Sequence, residues 1–209
     1  RHLFAVGYSV DEEKLTDSSY DLLASEARLT SYLGIVGRHV PVKHWYKTGR
    51  AVTKIDGARA LVSWAGTMFE YLMPPLLMRN YDYTLLAEAV NTVITAQIQY
   101  GAKRNLPWGV SESGYYGFDY RLNYQYRAFG IPDLGLKRGL VDDIVVSSYS
   151  TLLALPFAPR QALDNIEKLL DIGLGGEYGL FEAVDYTPTR LPGGEKQALV
   201  KSYMAQIGR

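Results

Sequence analysis

Apolar residues recur at helical spacing in several stretches of the chain. From about Ser18 to Gly37, Leu22, Leu23, Leu29 and Leu33 share one face with Glu26 and Thr30, while Asp17 or Ser18 can cap the start and Gly37 can end the run. The spacing predicts a helix there. A second is predicted over about Ala60 to Leu72, with Trp64, Met68, Tyr71 and Leu72 on one face and Pro74-Pro75 closing it. A third runs from about Thr84 to Lys103, and a fourth from Asp142 to Leu155. Pro159 opens a fifth that runs to about Ile172 and stops at Gly173. A last helix is expected over about Lys196 to Ala205.

Between these lie two long stretches without period, Asn105 to Arg138 and Gly173 to Gly194, rich in Gly, Pro and aromatic residues. Loops of this length inside a compact domain are functional or disordered, and the aromatic density argues against disorder. No run alternates convincingly enough for a large sheet, so the expected class is all-α, with at most a few short strands. No repeat, low-complexity tract or dividing linker appears, which makes residues 1–209 one expected domain.

Composition narrows the function. The 22 basic and 22 acidic residues cancel and are interleaved, which leaves no electrostatic footprint for nucleic acid or an anionic membrane and favours an uncharged partner. Without cysteine there is no disulfide scaffold, thiolate catalysis or Cys-based zinc site. The longest uncharged stretch, Ile144 to Pro159, is shorter than a bilayer span and reads as a buried helix, so no direct membrane contact is expected. The chain starts at Arg1 with no charged-then-apolar leader, which fits a start inside a longer polypeptide. The 17 Tyr and 3 Trp, many beside Gly and Asn, suit a groove that is apolar and wet together.

Among the acids, Glu26 falls on the apolar face of the first predicted helix. There it is either paired, with Arg28 or Arg59 in reach, or faces a cavity in which desolvation raises its pKa as a general acid requires. Glu112 lies in Pro107-Trp108-Gly109-Val110-Ser111-Glu112-Ser113-Gly114-Tyr115, where a carboxylate between hydroxyls and rings suits a sugar; the alternative is an exposed acid in a tyrosine-rich turn. Ser111 and Ser113 are candidate donors that would keep it ionised. Glu182, Asp185 and Tyr186 repeat the arrangement, either as substrate contacts or as loop staples, and Asp21 and Glu70 face either solvent or the groove. Gly173 to Gly179 follows a helix and lacks the P-loop lysine, so it reads as a helix stop and turn. His2, His39 and His44 have no zincin spacing and no serine sits in a nucleophile elbow, so neither a metal nor a cofactor is expected.

Five blocks, in order, resemble the glucoamylase-like domain of cyclic β-1,2-glucan synthases: Tyr20 to Arg28, Ser63 to Pro74, Pro107 to Tyr115, Asn123 to Gly130 and Phe181 to Pro188. The resemblance covers nearly the whole chain. It implies an (α/α)₆ toroid whose central groove holds β-1,2-glucan, and anomer-retaining transglycosylation that closes linear glucan into rings; related domains are inverting endo-β-1,2-glucanases. It assigns Glu26 as general acid/base and Glu112 as nucleophile. Retention needs the carboxyls about 5–5.5 Å apart, inversion about 6.5–9.5 Å. By the same resemblance Trp64, Trp108, Tyr115, Tyr124 and Tyr126 line subsites, with Asp21, Arg28, Glu70, Ser111, Glu182, Asp185 and Tyr186 as further substrate contacts. Twelve helices with loops need roughly 300 residues or more, so a partial toroid is expected, fused to other modules of a larger, inner-membrane-associated synthase facing the cytoplasm. A non-catalytic glucan-binding fragment is the third reading.

Overall fold

The computed structural model describes residues 3–121 and 123–201. Five α-helices are present: α1 (Arg28–Val36), α2 (Met68–Leu72), α3 (Leu85–Ala102), α4 (Ser148–Ala154) and α5 (Pro159–Asp171). Between them lie short strands: β1 (Tyr8–Ser9), β2 (Lys14–Leu15), β3 (Val52–Ile55), β4 (Ala58–Leu61), β5 (Ser113–Phe118), β6 (Tyr124–Arg127), β7 (Val145–Ser147), β8 (Gly175–Gly176), β9 (Gly179–Leu180), β10 (Ala183–Asp185) and β11 (Ala198–Val200). The all-α expectation is therefore overturned, and with it the reading of the chain as part of a helix-only toroid. The described residues form a mixed fold in which four two-stranded hairpins and one three-stranded antiparallel sheet, ordered β11-β10-β7, surround the helices.

The differences have local causes. Of the helix predicted over Ser18 to Gly37 only α1 forms, because Leu22 and Ala24 instead bridge in parallel to Gly49 and Ser63, and the Leu23 N–H donates to the Gly49 carbonyl at 3.0 Å. Arg28 and Ser31 are the buried residues of α1, while Leu33 is exposed. The second predicted helix is cut to α2 because Ala60 and Leu61 belong to β4, whose hairpin with β3 turns at Asp56-Gly57. Thr67 starts α2 with a full capping box: its side chain accepts from the Glu70 N–H, and the Glu70 carboxylate accepts from the Thr67 N–H. Val145 to Ser147 form the buried strand β7 ahead of α4, since a short apolar run inside a sheet has no period that separates it from helix. Ala198 to Val200 form a strand where a helix was expected, and the rest of that prediction, residues 202–205, lies outside the described residues.

Helix α3 follows the prediction. The Thr84 side chain accepts from the Ala87 N–H at 3.2 Å, Glu88 lies in the first turn, and Val90, Val93, Ile94 and Gln97 are buried. It packs on β4 and, with Tyr71, Phe129, Ile131 and Leu134, builds the core. Buried Gln97 receives the Val110 N–H and donates to the Val110 carbonyl, both at 2.9 Å. Asn165 on α5 clamps Trp108 in the same two-way fashion, at 3.0 and 2.9 Å, and Ser150 on α4 donates to the Gly109 carbonyl at 2.9 Å. Gly109 has φ +116, and a Cβ there would lie 2.3 Å from the Ser150 hydroxyl. Three helices thus hold the segment that leads to Glu112. No helix among the described residues is long and apolar enough to cross a membrane.

Candidate active site

Glu26 lies in the turn just before α1, half-buried, rather than on the inner face of a helix. Its Oε2 accepts from the Ser25 hydroxyl at 3.2 Å. Neither cation proposed as its partner pairs with it: Arg59 pairs with Glu88 at 3.2 Å, and Arg28 is buried with its guanidinium donating to the carbonyls of Glu70 at 3.2 Å and Tyr71 at 2.8 Å. Burial lowers the Arg28 pKa to about 10, against the opposing pull of Tyr71 and Glu26. Arg28 therefore secures the end of α2.

Glu112 immediately precedes β5 and is half-buried. Burial pushes its carboxyl up to about 7, with the charges of Glu26 and Glu70 adding to the rise. The expectation that Ser111 and Ser113 keep it ionised fails. The Ser111 hydroxyl accepts from the Phe69 N–H at 3.1 Å and shares a 2.8 Å hydrogen bond with the Tyr149 hydroxyl, while Ser113 donates to the Gly114 carbonyl at 2.9 Å. Tyr149 in turn donates to the Glu112 carbonyl at 2.8 Å, so it fixes the backbone of the acid rather than its carboxylate. Burial raises the Tyr149 pKa, and Glu112 and Tyr126 add to the rise, which leaves its hydroxyl a neutral donor.

Glu70 is buried and accepts four hydrogen bonds: Ser63 Oγ at 2.7 Å, the N–H groups of Trp64 and Ala65 at 3.1 Å each, and that of Thr67 at 2.9 Å. Its carboxylate holds the loop that presents Trp64, which is 61% exposed. Gly66 completes that loop at φ +70, where a Cβ would lie 2.6 Å from the Ile131 carbonyl. Desolvation raises the Glu70 pKa against these donors, and the Glu26 charge raises it further. The Glu26 charge thus reaches both Glu70 and Glu112, which come from separate segments.

The hairpin β5–β6 forms the adjoining wall. The Tyr124 and Tyr126 rings lie 6.4 Å apart, centroid to centroid. Tyr126 is mostly exposed, and its pKa is pushed up to about 12 by burial and by the Glu112 and Glu182 charges. Glu182 accepts from the Gly114 N–H at 2.6 Å and from the Tyr124 hydroxyl. Asp185, fully buried, accepts from the Tyr116 N–H at 3.1 Å, from the Thr187 N–H at 2.9 Å and from Arg190 on both oxygens at 2.8 and 3.1 Å. Both acids staple the hairpin to β10. Trp108, at 5% exposure, packs within the core. Tyr186 is equally enclosed, and Tyr115 packs edge-on to Phe129 at 5.8 Å under Arg190. Asp21 is exposed on the segment whose carbonyl accepts from the Gly49 N–H at 2.6 Å.

Tyr149, Gln97, Asn165 and Arg190 were not singled out from the sequence. Tyr149 stands in an apolar run flanked by Ser147, Ser148 and Ser150, and that polar interruption is the one signal that could have marked it.

The model of the Glycoamylase family, described as "putative glucoamylase", matches residues 18–207. The cyclic beta-(1,2)-glucan synthase NdvB of Rhizobium meliloti (strain 1021) is 47% identical over 205 residues, which is 98% of this chain and 7% of that protein. Among solved structures, a "putative glucoamylase" from Bacteroides uniformis aligns with TM-score 0.62 at 16% identity, over 95% of this chain and 50% of its own. The endo-beta-1,2-glucanase from Chitinophaga pinensis, in complex with sophorotriose and glucose, aligns with TM-score 0.59 at 15% identity over the same shares. At such identities the structural likeness is one of fold. The chain belongs to the Glycoamylase family.

Proposed function

We propose that this chain is a carbohydrate-active domain that acts on β-1,2-glucan by anomer-retaining transglycosylation, with Glu26 and Glu112 as the reacting carboxyls. The substrate class is supported by the names of the synthase and the glucanase to which the chain is similar. The observation that carries the chemistry is the electrostatic coupling of Glu26, Glu70 and Glu112. Glu70 is consumed by four donors, which leaves Glu26 and Glu112 as the two accessible members, one with its proton poised near neutral pH.

In this reading Glu26 protonates the glycosidic oxygen while the Glu112 carboxylate attacks the anomeric carbon, and the leaving glucan departs as an alcohol. Glu26, now ionised, takes the proton of an incoming sugar hydroxyl, whose oxygen displaces Glu112 and restores the β-configuration. A hydroxyl from another chain redistributes lengths, and one from the same chain closes a ring. Tyr149 and Ser111 act as positioning residues by holding the Glu112 backbone.

One observation favours exchanged roles: Glu112 is the carboxyl that burial raises, so near neutral pH it retains the proton an acid needs. The test of the function itself is incubation of the purified chain with linear β-1,2-glucan, followed by proton NMR and product sizing. Redistributed or cyclic products with new linkages in the β-form are expected. Initial α-anomers at new reducing ends would support the inverting glucanase instead, and an unchanged glucan with folded protein would contradict both.

A further inference from the structure

We infer that the hollow beside Lys137 is an outer saccharide subsite, which grips the glucan beyond the reacting linkage and selects for longer chains; this rests on the glucan reading above. The hollow, of about 360 Å³, lies between the end of β6 and the segment that follows Gly135, and its lining includes Arg127, Phe129, Lys137, Arg138, Asp142 and Asp143. Its volume falls within the range of small-molecule sites.

Backbone pairing ties it to the carboxyl cluster. Ser63 bridges Gly135, the Leu136 N–H donates to the Ser63 carbonyl at 3.1 Å, and the Lys137 N–H donates to the Trp64 carbonyl at 2.8 Å. The loop held by the Glu70 carboxylate is therefore joined through its backbone to the segment that carries Lys137. The Glu70 charge, which acts on Glu112, also acts on Lys137. On the opposite side, Arg127 continues the strand that carries Tyr126.

The polar groups suit a neutral polyol. Lys137 Nζ donates to the Ala128 carbonyl at 2.8 Å, which leaves two of its three protons for other acceptors. Arg127 is neutralised by Asp143 at 2.9 Å, and Asp143 is shared with Arg190. Arg138 and Asp142 stand exposed at the rim, one supplying donors and the other acceptors. The lining carries three cations, Arg127, Lys137 and Arg138, beside the carboxylates of Asp142 and Asp143, so donors and acceptors stand together in it. Hydroxyls that both donate and accept find partners for both functions.

The test is calorimetric titration of linear β-1,2-glucans of short and long chain length into the Glu112→Gln protein, which slows turnover, alone and combined with Lys137→Met or Arg138→Ala. Longer glucan is expected to bind more tightly than short. Lys137→Met should lower the long-chain affinity by about tenfold and Arg138→Ala by about threefold, with short-chain affinity unchanged. Arg138 is exposed, so its variant reports even if the lysine variant folds poorly. Long-chain binding equal to the Glu112→Gln parent in both variants would overturn the subsite while leaving the glucan reading intact. A folded parent that binds neither length would overturn the glucan reading, and the subsite with it.

Discussion

Glu112 combines three environments that rarely coincide at a solvent-accessible acid. It is half-buried, the charges of Glu26 and Glu70 add to the rise of its pKa, and no donor among the described residues reaches its carboxylate. Its pH linkage follows from the sign of the shift. Below about pH 4.5 folded and unfolded chains both hold the proton. Between that point and about 7 the unfolded chain releases it while the folded chain keeps it, so Glu112 subtracts stability progressively as pH rises through this window, and the loss is complete above it. The shift corresponds to at most about 3 kcal/mol, which water screening of a half-exposed group reduces to about 1 kcal/mol. Glu112→Gln should therefore raise the melting temperature by about 2–4 °C at about pH 8 and leave it unchanged at about pH 4, as scanning calorimetry can read. Equal effects at both pH values would assign the change to packing instead. Both proposed acids stand out in the sequence, Glu26 on an apolar face and Glu112 between hydroxyl and aromatic residues, while their roles come from the family resemblance. Their proton balance was not legible there, because it depends on Glu70 and on where Ser111 and Ser113 spend their hydrogen bonds.

At the scale of elements, the site is positioned by helices that clamp a loop. Gln97, Asn165 and Ser150 satisfy the backbone of Trp108, Gly109 and Val110 from three sides, so Glu112 begins its strand from a fixed point although its approach is irregular chain. Gln97→Leu keeps the volume and leaves the Val110 N–H and C=O unpaired in the core. A loss of about 2–4 kcal/mol in urea unfolding is expected, with a fall in kcat larger than any change in KM. Unchanged stability would mean that the amide clamp is dispensable. Helices α3 and α5 were readable because each carries its own start signal, Thr84 or Pro159, and a full apolar face. The segment before α1 was not. Leu22 and Leu23 satisfy helical spacing, but bridges to Gly49 and Ser63, distant in sequence, decide their conformation. Strands β7, β10 and β11 are three residues each and largely buried, so they offer no alternation to read.

At the scale of the whole molecule, two of the acids expected at the substrate, Glu182 and Asp185, carry links of the architecture. Asp185 and Asp143 share Arg190, which also lies over Tyr115 and Phe129, and this network ties the end of β10 to the hairpin β5–β6 and to the chain before β7. Glu182 makes the neighbouring link through Gly114 and Tyr124. The wall that carries Tyr126 is therefore pinned from behind, while Glu26 arrives from the opposite end of the chain and Trp64 from a loop of its own. The chain matches about half the length of the solved structures it resembles and 7% of the synthase, and the pair of acids is contained within that part. The central claim, that Glu26 and Glu112 react with one glycosidic linkage, is tested most directly by azide rescue of Glu26→Gly and Glu112→Gly acting on a nitrophenyl β-glycoside of the β-1,2-linked disaccharide. Each variant should yield a glycosyl azide, of opposite hand: β from Glu26→Gly, where azide intercepts the glycosyl-enzyme, and α from Glu112→Gly, where azide takes the place of the nucleophile. Exchanged anomers would reverse the two roles, and no azide product from either variant, under conditions in which the parent chain transfers glucan, would contradict the claim.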